Sequence, residues 1–553
     1  MPKIDVSYKD LCMLVGKKIQ LDQLREDLLY AKSELDDVDG DTLKIDIKDT
    51  NRPDLWSAEG IAREIAGRYG KRGLPRFRLK KGGCKVIVDT RSPVQPMAVS
   101  AVARNLKIDD AFLSQIIQLQ EKLSLAFGRN RKNMSMGVYD LEKIKFPVKY
   151  TSLNRKKIHF APLGFENPMP ADEIIRQHQK GKAFGHLLAG TDEYPVWADA
   201  TGKILSMPPI INSNDIGNVS TKTKNVFIEC TGYSMRFLHT AIAVLAAQML
   251  DRGGAVETVS TYFKGKKIIT PSMAPKKTSV DTWYANKISG LDLGTKDIVR
   301  LLEMARYDCK GSKKRIDLLY PSYRHDIMHM RDIVEDIIIS YGYNKIDCPV
   351  KKIHTVGKAD NMQLFIGRVQ EICVGLGLQE IMSYTLTNQA DLFGKMMLAE
   401  RKAVEIENPV SQNWSVFRTW LVPQLLGFFS QNMHIEYPQQ IFEIGTVVHI
   451  NEPEETKTDD RTFLSIGYTA SIVNYDLISS YLDAIMRNLG VKYSLEKTVH
   501  GSFIKGRCAA VVADKNKIGT IGEISPAVLS NWKLEKPVLS LEIDLSQMFE
   551  LGK

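Results

Sequence analysis

The sequence predicts a multidomain α+β protein, in which two related small α+β modules flank an α/β domain and an antiparallel sheet with helices follows. The first observation behind this prediction is length, since 553 residues exceed what one hydrophobic core holds together. The second is a weak internal repeat. The third is the position of the breaks, because stretches containing proline, glycine and lysine interrupt the hydrophobic patterns at 270–279 and 348–361.

The internal repeat pairs NRPDLWSAEGIAREIAGRYG (51–70) with YRHDIMHMRDIVEDIIISYG (323–342) at one constant offset. In both segments an Arg-x-Asp stretch leads into a helical pattern with isoleucines four residues apart, the spacing of a core-facing stripe. The repeat therefore predicts two modules of one design, at 1–85 and 270–347. The matched residues are Arg52 with Arg324, Asp54 with Asp326, Ile61 with Ile333, Ile65 with Ile337, Tyr69 with Tyr341 and Gly70 with Gly342.

The helix of the second copy carries an acidic face that its fold does not explain. Asp332, Glu335 and Asp336 gather on one side at spacings that bring like charges together, which costs roughly 0.2–0.5 kcal/mol per pair in an isolated helix. Ile339 lies in the middle of this face, where water does not stabilise it. The first copy has glycine and arginine in place of the first two acidic residues, so the shared design does not need the acidic face.

Between the copies, residues 95–262 alternate short β-rich runs with helical patterns, which predicts an α/β domain. Its longest apolar run, AIAVLAAQML (241–250), is too short to span a bilayer and is typical of a buried helix. A helical pattern near residue 362 then precedes several runs of hydrophobic alternation separated by polar breaks. This pattern predicts a last domain, 355–553, built on an antiparallel sheet with flanking helices.

The composition, 44% hydrophobic and 25% charged, is that of a globular protein, and the net charge of +10 suits a polyanionic partner. The basic stretches at 70–83 and 128–132 either contact phosphates or are solvated loops. Seven scattered cysteines without a CxxC pair argue against a zinc site and against a disulfide framework. The start, MPKIDVSYKD, has no apolar signal region, so we expect a cytoplasmic protein without a membrane partner.

Eight segments in chain order carry a resemblance to one family. They are NRPDLWSAEGIAREIAG, GVYDLEKI, MPPIINS, FIECTG, PSYRHDIMHMRDIVEDIIISYGYN, VFRTWLVPQLL, FEIGTVV and IGTIGEISPAVLSNW. Together they resemble the β subunits of phenylalanine–tRNA ligases of the archaeal and eukaryotic type, over nearly the whole chain. The resemblance implies an α2β2 enzyme that joins phenylalanine to its tRNA with ATP and Mg²⁺. ATP and phenylalanine are then expected to bind on the α subunit.

The last domain is similar to a class II synthetase core that has lost its active site. A working core needs arginines for the ATP phosphates on one strand and at a glycine-rich helix start. The strand at 439–450 has no arginine, and neither does the segment GEISPAVLSNWKL. We expect Arg418 and Arg507 to have structural roles. The alternative function is a stand-alone protein that binds or edits tRNA and uses the inactive core as a scaffold.

The domain at 95–262 resembles the family's editing domain, which hydrolyses tyrosine wrongly attached to the tRNA. A pocket for phenylalanine rejects an analogue with one added hydroxyl by only about 10², so a second site must remove the error. The family's pattern implies Ser206, Glu229 and Thr231 as pocket residues, with Glu229 where the family commonly has aspartate. Alternatively, Ser206 is a strand-end hydroxyl and Thr231 begins a plain turn.

The acidic face resembles the family's magnesium cluster, which is shared with the α subunit. The implied ligands are Asp326, Asp332, Glu335 and Asp336. The alternative is a solvated acidic face. His325 and His329 flank the segment as weaker candidate ligands, because oxygen ligands suit Mg²⁺ better than imidazole does. Asp54, which matches in both copies, is expected to have a fold role, such as capping the helix that follows it.

Overall fold

The computed structural model describes residues 2–311, 314–347, 350, 353 and 355–551. The chain divides into two compact units, Met1–Pro349 and Val350–Lys553, and each is described by itself. Among the described residues, no helix is long and apolar enough to cross a membrane.

The N-terminal module combines a three-stranded sheet with three helices. Its elements are β1 (Lys3–Ser7), α1 (Tyr8–Val15), α2 (Leu21–Tyr30), β2 (Ser33–Asp39), β3 (Thr42–Ile47) and α3 (Ala58–Ile65). The antiparallel strand order is β1-β3-β2. Helix α3 begins after Ser57, whose side chain accepts a hydrogen bond from the backbone amide of Gly60. All eight residues of α3 are buried. They are buried because this helix lies in one core shared with the following domain.

The α/β domain is built on a ten-stranded mixed sheet. Its elements are β4 (Lys80–Asp89), β5 (Met97–Arg104), α4 (Asp110–Lys122), β6 (Met134–Asp140), β7 (Val148–Asn154), β8 (His159–Phe160), β9 (Met169–Pro170), α5 (Ala171–Gln177), α6 (Gln179–Phe184), β10 (Glu193–Ala198), β11 (Ile204–Met207), β12 (Ile211–Asn212), α7 (Asn214–Gly217), β13 (Val226–Gly232), α8 (Met235–Asp251), β14 (Ala255–Phe263) and β15 (Lys266–Thr270). The strand order is β12-β11-β10-β7-β4-β14-β5-β13-β6, with β15 on β14 and a separate β8-β9 pair. Strands β4 and β15 extend this sheet beyond 95–262 at both ends. Helices α4 and α8 cover one face.

The second small module repeats the first element by element. Its elements are β16 (Lys276–Asp281), α9 (Thr282–Ser289), α10 (Thr295–Met304), β17 (Asp308–Gly311), β18 (Arg315–Tyr320) and α11 (Met330–Tyr341). The strand order β16-β18-β17 matches β1-β3-β2, and α11 packs against α9 and α10 through Ile333, Val334 and Ile337. The predicted pair of modules of one design is confirmed.

Unit 2 is a seven-stranded sheet between two layers of helices. Its elements are α12 (Asn361–Gly375), β19 (Gln379–Glu380), β20 (Leu386–Thr387), β21 (Val416–Phe417), α13 (Val422–Gln431), β22 (Gln439–Ile450), β23 (Thr458–Thr469), α14 (Tyr475–Leu489), β24 (Ser494–Lys497), β25 (Phe503–Ala513), β26 (Asn516–Ile524), α15 (Pro526–Asn531), β27 (Val538–Asp544) and α16 (Leu545–Leu551). The strand order is β19-β22-β23-β27-β26-β25-β24, antiparallel except for β19 with β22. Helices α12, α14 and α16 pack on one face, and α13 and α15 on the other. The predicted antiparallel sheet with flanking helices is confirmed.

Candidate functional site

The candidate pocket lies on the face of the ten-stranded sheet opposite α8. Alternate side chains along a strand point to opposite faces, so Glu229 and Thr231 of β13 share one face. Ile228 and Cys230, on the other face, join the core that contains the α8 side chains. Glu229 is 2% exposed and Thr231 is fully buried. Strand β13 therefore places two buried polar side chains on the face of the sheet opposite α8.

Tyr139 of β6 connects Glu229 to Ser206 of β11. Its hydroxyl lies 3.0 Å from Glu229 Oε1, to which it donates, and 2.8 Å from Ser206 Oγ. Gly137 leaves room for the ring, because a Cβ there would lie 2.2 Å from the Tyr139 hydroxyl oxygen. Tyr139 stands in the motif GVYDLEKI, but its own strand carries no signal that it joins two of the predicted pocket residues.

Glu229 has an unusual protonation state. Burial raises the pKa of its carboxyl to about 8, although nearby Tyr139 and Trp197 favour the ionised form. Among the described residues, its Oε2 atom has no hydrogen-bond partner, and the indole nitrogen of Trp197 has none either. With this pKa the group is mostly a neutral carboxylic acid at neutral pH, and its Oε2 atom is enclosed, with the indole of Trp197 as a neighbour that favours ionisation. Such an acid donates as well as accepts a hydrogen bond.

Thr231 supports the pocket from behind. Its Oγ1 donates to Gln95 Oε1 at 2.8 Å, and Ser135 Oγ donates to the same oxygen at 2.7 Å. Gln95 in turn donates to the backbone carbonyl of Arg131 at 2.8 Å. Thr231 lies inside β13 rather than in a turn, and Ser206 is a buried strand residue bonded to Tyr139. Thr231 therefore does not begin a turn, Ser206 lies one residue from the end of β11, and the role of both in the pocket stays a prediction.

A cavity of about 90 Å³ adjoins these residues. Ser206, Glu229, Ser135 and Asn212 are among its polar lining residues. The charged lining residues pair with one another or with the backbone: Arg131 Nη1 donates to two carbonyls, and Lys180 Nζ lies 2.7 Å from Glu121 Oε1. The cavity thus combines a wall of neutral polar groups with a wall on which two cations share the one carboxylate of Glu121. Arg131 is part of the basic stretch at 128–132, so this stretch is not a plain solvated loop.

The four predicted metal ligands of the second module do not converge on one point. Asp326 and Asp336 are buried, and both accept hydrogen bonds from Arg324, at 2.7 Å from Nε and 2.8 Å from Nη2 respectively. Asp336 also accepts the hydroxyl of Tyr307 at 2.6 Å. Burial opposes ionisation of the two carboxyls, but Arg324 holds the pKa of each carboxyl below the usual range for aspartate.

Asp332 and Glu335 lie nearer the surface and use their carboxylates differently. Asp332 Oδ2 accepts two backbone amides at the start of α11. Glu335 Oε2 pairs with Lys32 Nζ of the N-terminal module at 3.0 Å, and Lys32 also lies 3.6 Å from Asp336. In the described part of the chain, no group of three or more His, Cys, Asp or Glu side chains is arranged to hold a metal ion. As arranged, the four carboxylates do not fit a magnesium ion, and ligation by them stays a prediction.

The other candidates near the repeat have structural partners. His325 packs against two phenylalanine rings, and burial lowers its pKa. His329 is the N-cap of α11. The expectation that Asp54 caps α3 is wrong, because Ser57 does so. Asp54 instead accepts two hydrogen bonds from the buried guanidinium of Arg52, which is a fold role of another kind.

Arg418 and Arg507 of unit 2 both have carboxylate partners within the chain. Arg418 is buried and lies 2.7 Å from Glu443 Oε1, and it also donates to Ser383 Oγ and to the carbonyl of Thr446. Arg507 pairs with Glu523 at 2.7 Å on the surface. Neither guanidinium is free to take a triphosphate without giving up its partner.

Three family descriptions match successive parts of the chain. A "B3/4 domain" matches residues 86–248, a "tRNA synthetase B5 domain" matches 278–343, and a "Phenylalanyl tRNA synthetase beta chain CLM domain" matches 348–545. Together with the buried polar pocket and the antiparallel sheet of unit 2, these matches define the class of the protein as a subunit of an aminoacyl-tRNA synthetase.

Full-length relatives narrow the class to one family. The phenylalanine–tRNA ligase beta subunit of Pyrococcus abyssi is 44% identical over 100% of both chains, and that of Archaeoglobus fulgidus is 34% identical over 100% of both. An N-terminal fragment of the phenylalanyl-tRNA synthetase beta subunit from Pyrococcus horikoshii superposes with a TM-score of 0.60 at 44% identity, covering 62% of this chain and 100% of that one. The chain belongs to the phenylalanine–tRNA ligase beta subunit family.

Proposed function

We propose that this chain is the non-catalytic, editing subunit of a cytoplasmic phenylalanine–tRNA ligase. It assembles with an α subunit as α2β2, the α subunit binds ATP and phenylalanine, and the domain around β13 hydrolyses tyrosine from mischarged tRNA. Family membership supports the assembly. The observation that carries the editing role is the buried, neutral Glu229 carboxyl, which lines a cavity together with Ser206.

The recognition step follows from that carboxyl. A neutral acid donates to, or accepts from, the phenol of a tyrosyl group, and Ser206 and Tyr139 hold it in place. Phenylalanine has no hydroxyl, so its entry leaves buried polar atoms unpaired. Sites of this kind reject an analogue lacking the hydroxyl by about 10⁴–10⁵. Correctly charged tRNA therefore stays charged.

Hydrolysis itself requires little from the side chains. The described residues that line the cavity include no cysteine or histidine, so a nucleophile paired with an imidazole base is not available there. We propose that a positioned water attacks the ester and that the tRNA's own terminal hydroxyl assists. The contribution of the protein is then orientation and exclusion of bulk water.

Deacylation of tyrosyl-tRNA tests the site. Glu229→Leu, Ser206→Ala and a bulky replacement of Thr231 each raise tyrosine misacylation by the assembled enzyme, with phenylalanine charging nearly unchanged. Glu229→Gln keeps a neutral donor and acceptor, so it retains more activity than Glu229→Leu. Asp215→Asn, at an exposed carboxylate of the same domain, serves as the matched control. Deacylation that survives changes at all three positions contradicts the assignment.

The pH dependence offers a separate test of the neutral acid. As the pH rises through about 8, Glu229 ionises and loses its donor, so its preference for tyrosyl over phenylalanyl ester falls. Glu229→Gln does not titrate, so its preference stays level across the same range. A native preference that also stays level contradicts a role for the protonated carboxyl.

The inactive character of unit 2 is tested with the chain alone. Arg418 is held by Glu443, and β22 carries no arginine, so the isolated chain makes no phenylalanyl-adenylate. ATP–pyrophosphate exchange by the pure chain contradicts this part of the proposal. Native mass measurement after co-expression with an α subunit separates the tetramer from a stand-alone protein.

A further inference from the structure

A second cavity, of about 420 Å³, lies within unit 1 and shares no residue with the editing pocket. It is bounded by the N-terminal module, the segment after α3, the end of α8 and the turn after α10. Its lining is dominated by cations, which are Arg63, Lys71, Arg76, Arg78 and Arg306. Three of them come from the basic stretch at 70–83, which the editing function does not use.

The two acidic residues of the lining already have partners. Asp251 accepts a hydrogen bond from Arg63 Nη2 at 2.6 Å, and Glu59 accepts one from Arg252 Nε at 2.6 Å. Lys71 donates to the carbonyl of Val15 at 3.2 Å, which leaves its charge uncompensated. Arginines 76 and 78 are exposed. The cavity therefore carries a net positive charge that its own carboxylates do not cancel.

Arg306 is a buried cation of this lining whose enclosed donors lack partners among the described residues. Its residue is only 8% exposed, yet its Nε and Nη1 atoms have no hydrogen-bond partner among the described residues. Burial lowers its pKa, although Tyr323 and nearby carboxylates favour the charged form. Despite this lowered pKa, an arginine remains protonated at neutral pH. A buried guanidinium with unpaired donors is unfavourable unless a ligand accepts hydrogen bonds from those donors.

We infer that this cavity binds a phosphate group, with Arg306 as the buried ligand and Arg76 and Arg78 as exposed ones. The planar fork of a guanidinium matches two phosphate oxygens, and several convergent cations suit a phosphate better than a single carboxylate. The phosphate belongs either to an RNA backbone or to a free phosphate or pyrophosphate ion. Both sources share this chemistry, and the experiment distinguishes them.

The experiment uses the full-length chain in chloride buffer and measures binding of inorganic phosphate and pyrophosphate by calorimetry. Native chain binds, and Arg306→Met weakens binding by at least about tenfold because it removes charge-assisted hydrogen bonds. Arg306→Met breaks no hydrogen bond to another described residue, so its unfolding temperature without ligand does not fall, and ligand no longer raises it. An Arg306 that is merely structural would instead lower the unfolding temperature.

Two surface variants keep the inference testable if Arg306→Met misfolds. Arg76→Ala with Arg78→Ala removes the exposed cations and weakens binding, whereas Arg72→Ala with Lys80→Ala, at exposed positions outside the lining, leaves it unchanged. Filter binding of tRNA to the same variants identifies the source: a parallel loss assigns an RNA phosphate, and unchanged tRNA binding assigns the free ion. If native chain shows no heat and no stabilisation with either ion, and the variants bind tRNA normally, the inference is wrong.

Discussion

The two small modules share more than their order of elements. Each holds a buried arginine that bridges an aspartate two residues on and a carboxylate twelve residues on. The two sets are Arg52–Asp54–Glu64 and Arg324–Asp326–Asp336. Two of the four acidic residues that the sequence assigned to a magnesium cluster therefore belong to the shared design. Of the four acidic residues, only Asp332 and Glu335 are specific to the second copy.

The positions that differ reflect what each helix packs against. Gly60 stands where the second copy has Asp332, and a Cβ there would lie 1.8 Å from the carbonyl oxygen of Asp54. Arg63 stands in place of Glu335 and binds Asp251 at the end of α8. Helix α3 is thus enclosed on all sides, whereas the outer face of α11 remains open. An open face tolerates acidic residues, and an enclosed one requires glycine and a paired arginine.

The largest expected effect tests whether the two buried arginines are equivalent. Arg324→Met removes the guanidinium that binds two buried aspartates and leaves only more distant cations, Lys32 at 3.6 Å from Asp336 and Arg52 at 3.9 Å from Asp326. The loss destabilises unit 1 by about 3–5 kcal/mol. Arg52→Met destabilises it less, because burial already raises the pKa of Glu64 and this carboxyl takes up a proton readily. Urea unfolding followed by the fluorescence of Trp56, buried in the N-terminal module, measures both. Arg331→Met, at an exposed position of α11, is the control, and equal losses for the two arginines contradict the comparison.

The next effect concerns the glycine that distinguishes the first copy. Gly60→Ala places a methyl group against the backbone of Asp54, and overpacking of this kind costs about 1–3 kcal/mol. Asp332→Ala, at the matching position, loses only the carboxylate that caps α11, at a cost of about 1 kcal/mol. The same urea titration measures both variants. A Gly60→Ala chain as stable as the native one would show that α3 shifts freely, contrary to its enclosed position.

Much of the fold was accessible from the sequence because its signals are local. The repeat, the helix stripes and the strand alternation depend on residues a few positions apart, and each predicted element type was found. The pocket was partly accessible, since Ser206 and Glu229 do share one hydroxyl partner. Tyr139 was missed because nothing in its own strand shows that two other strands meet at its hydroxyl.

The acidic face was the hardest feature to interpret, because its partner is remote. A helical projection shows the repulsion among Asp332, Glu335 and Asp336, but Lys32 lies 303 residues from Glu335 in the chain. Burial opposes the charge of Lys32, yet the neighbouring carboxylates raise the pKa of Lys32 above its usual value. Because no basic residue lies among these carboxylates on the helix, the sequence suggests a metal ion where the structure has a lysine from a distant segment. Pairing between distant segments is not a property of either segment alone.

Acid should change the stability contributed by the two buried sets, Arg52–Asp54–Glu64 and Arg324–Asp326–Asp336, in opposite directions. Asp326 and Asp336 have pKa values below those of the unfolded chain, so their stabilisation is full above about pH 4 and is lost as the pH falls further. Glu64 has a raised pKa, so its contribution is full below about pH 4 and is lost as the pH rises. Unfolding free energies between about pH 3 and 6 should fall with acid less steeply for Asp336→Asn than for native chain. Glu64→Gln should make the fall steeper, and parallel profiles would contradict the assignment.

The smallest effect decides what remains of the magnesium prediction. Glu335 is about half exposed in its pair with Lys32, so Asp332→Asn with Glu335→Gln should change stability by less than about 1 kcal/mol without metal. The pair is also the part of the acidic face that the first module lacks and that solvent or a partner can reach. The prediction of a magnesium site therefore requires that the double variant assemble with an α subunit without any magnesium dependence that the native chain shows. Asp317→Asn, at another exposed carboxylate of the module, should keep that dependence. If the double variant assembles with the native dependence, Asp332 and Glu335 serve only the helix cap and Lys32.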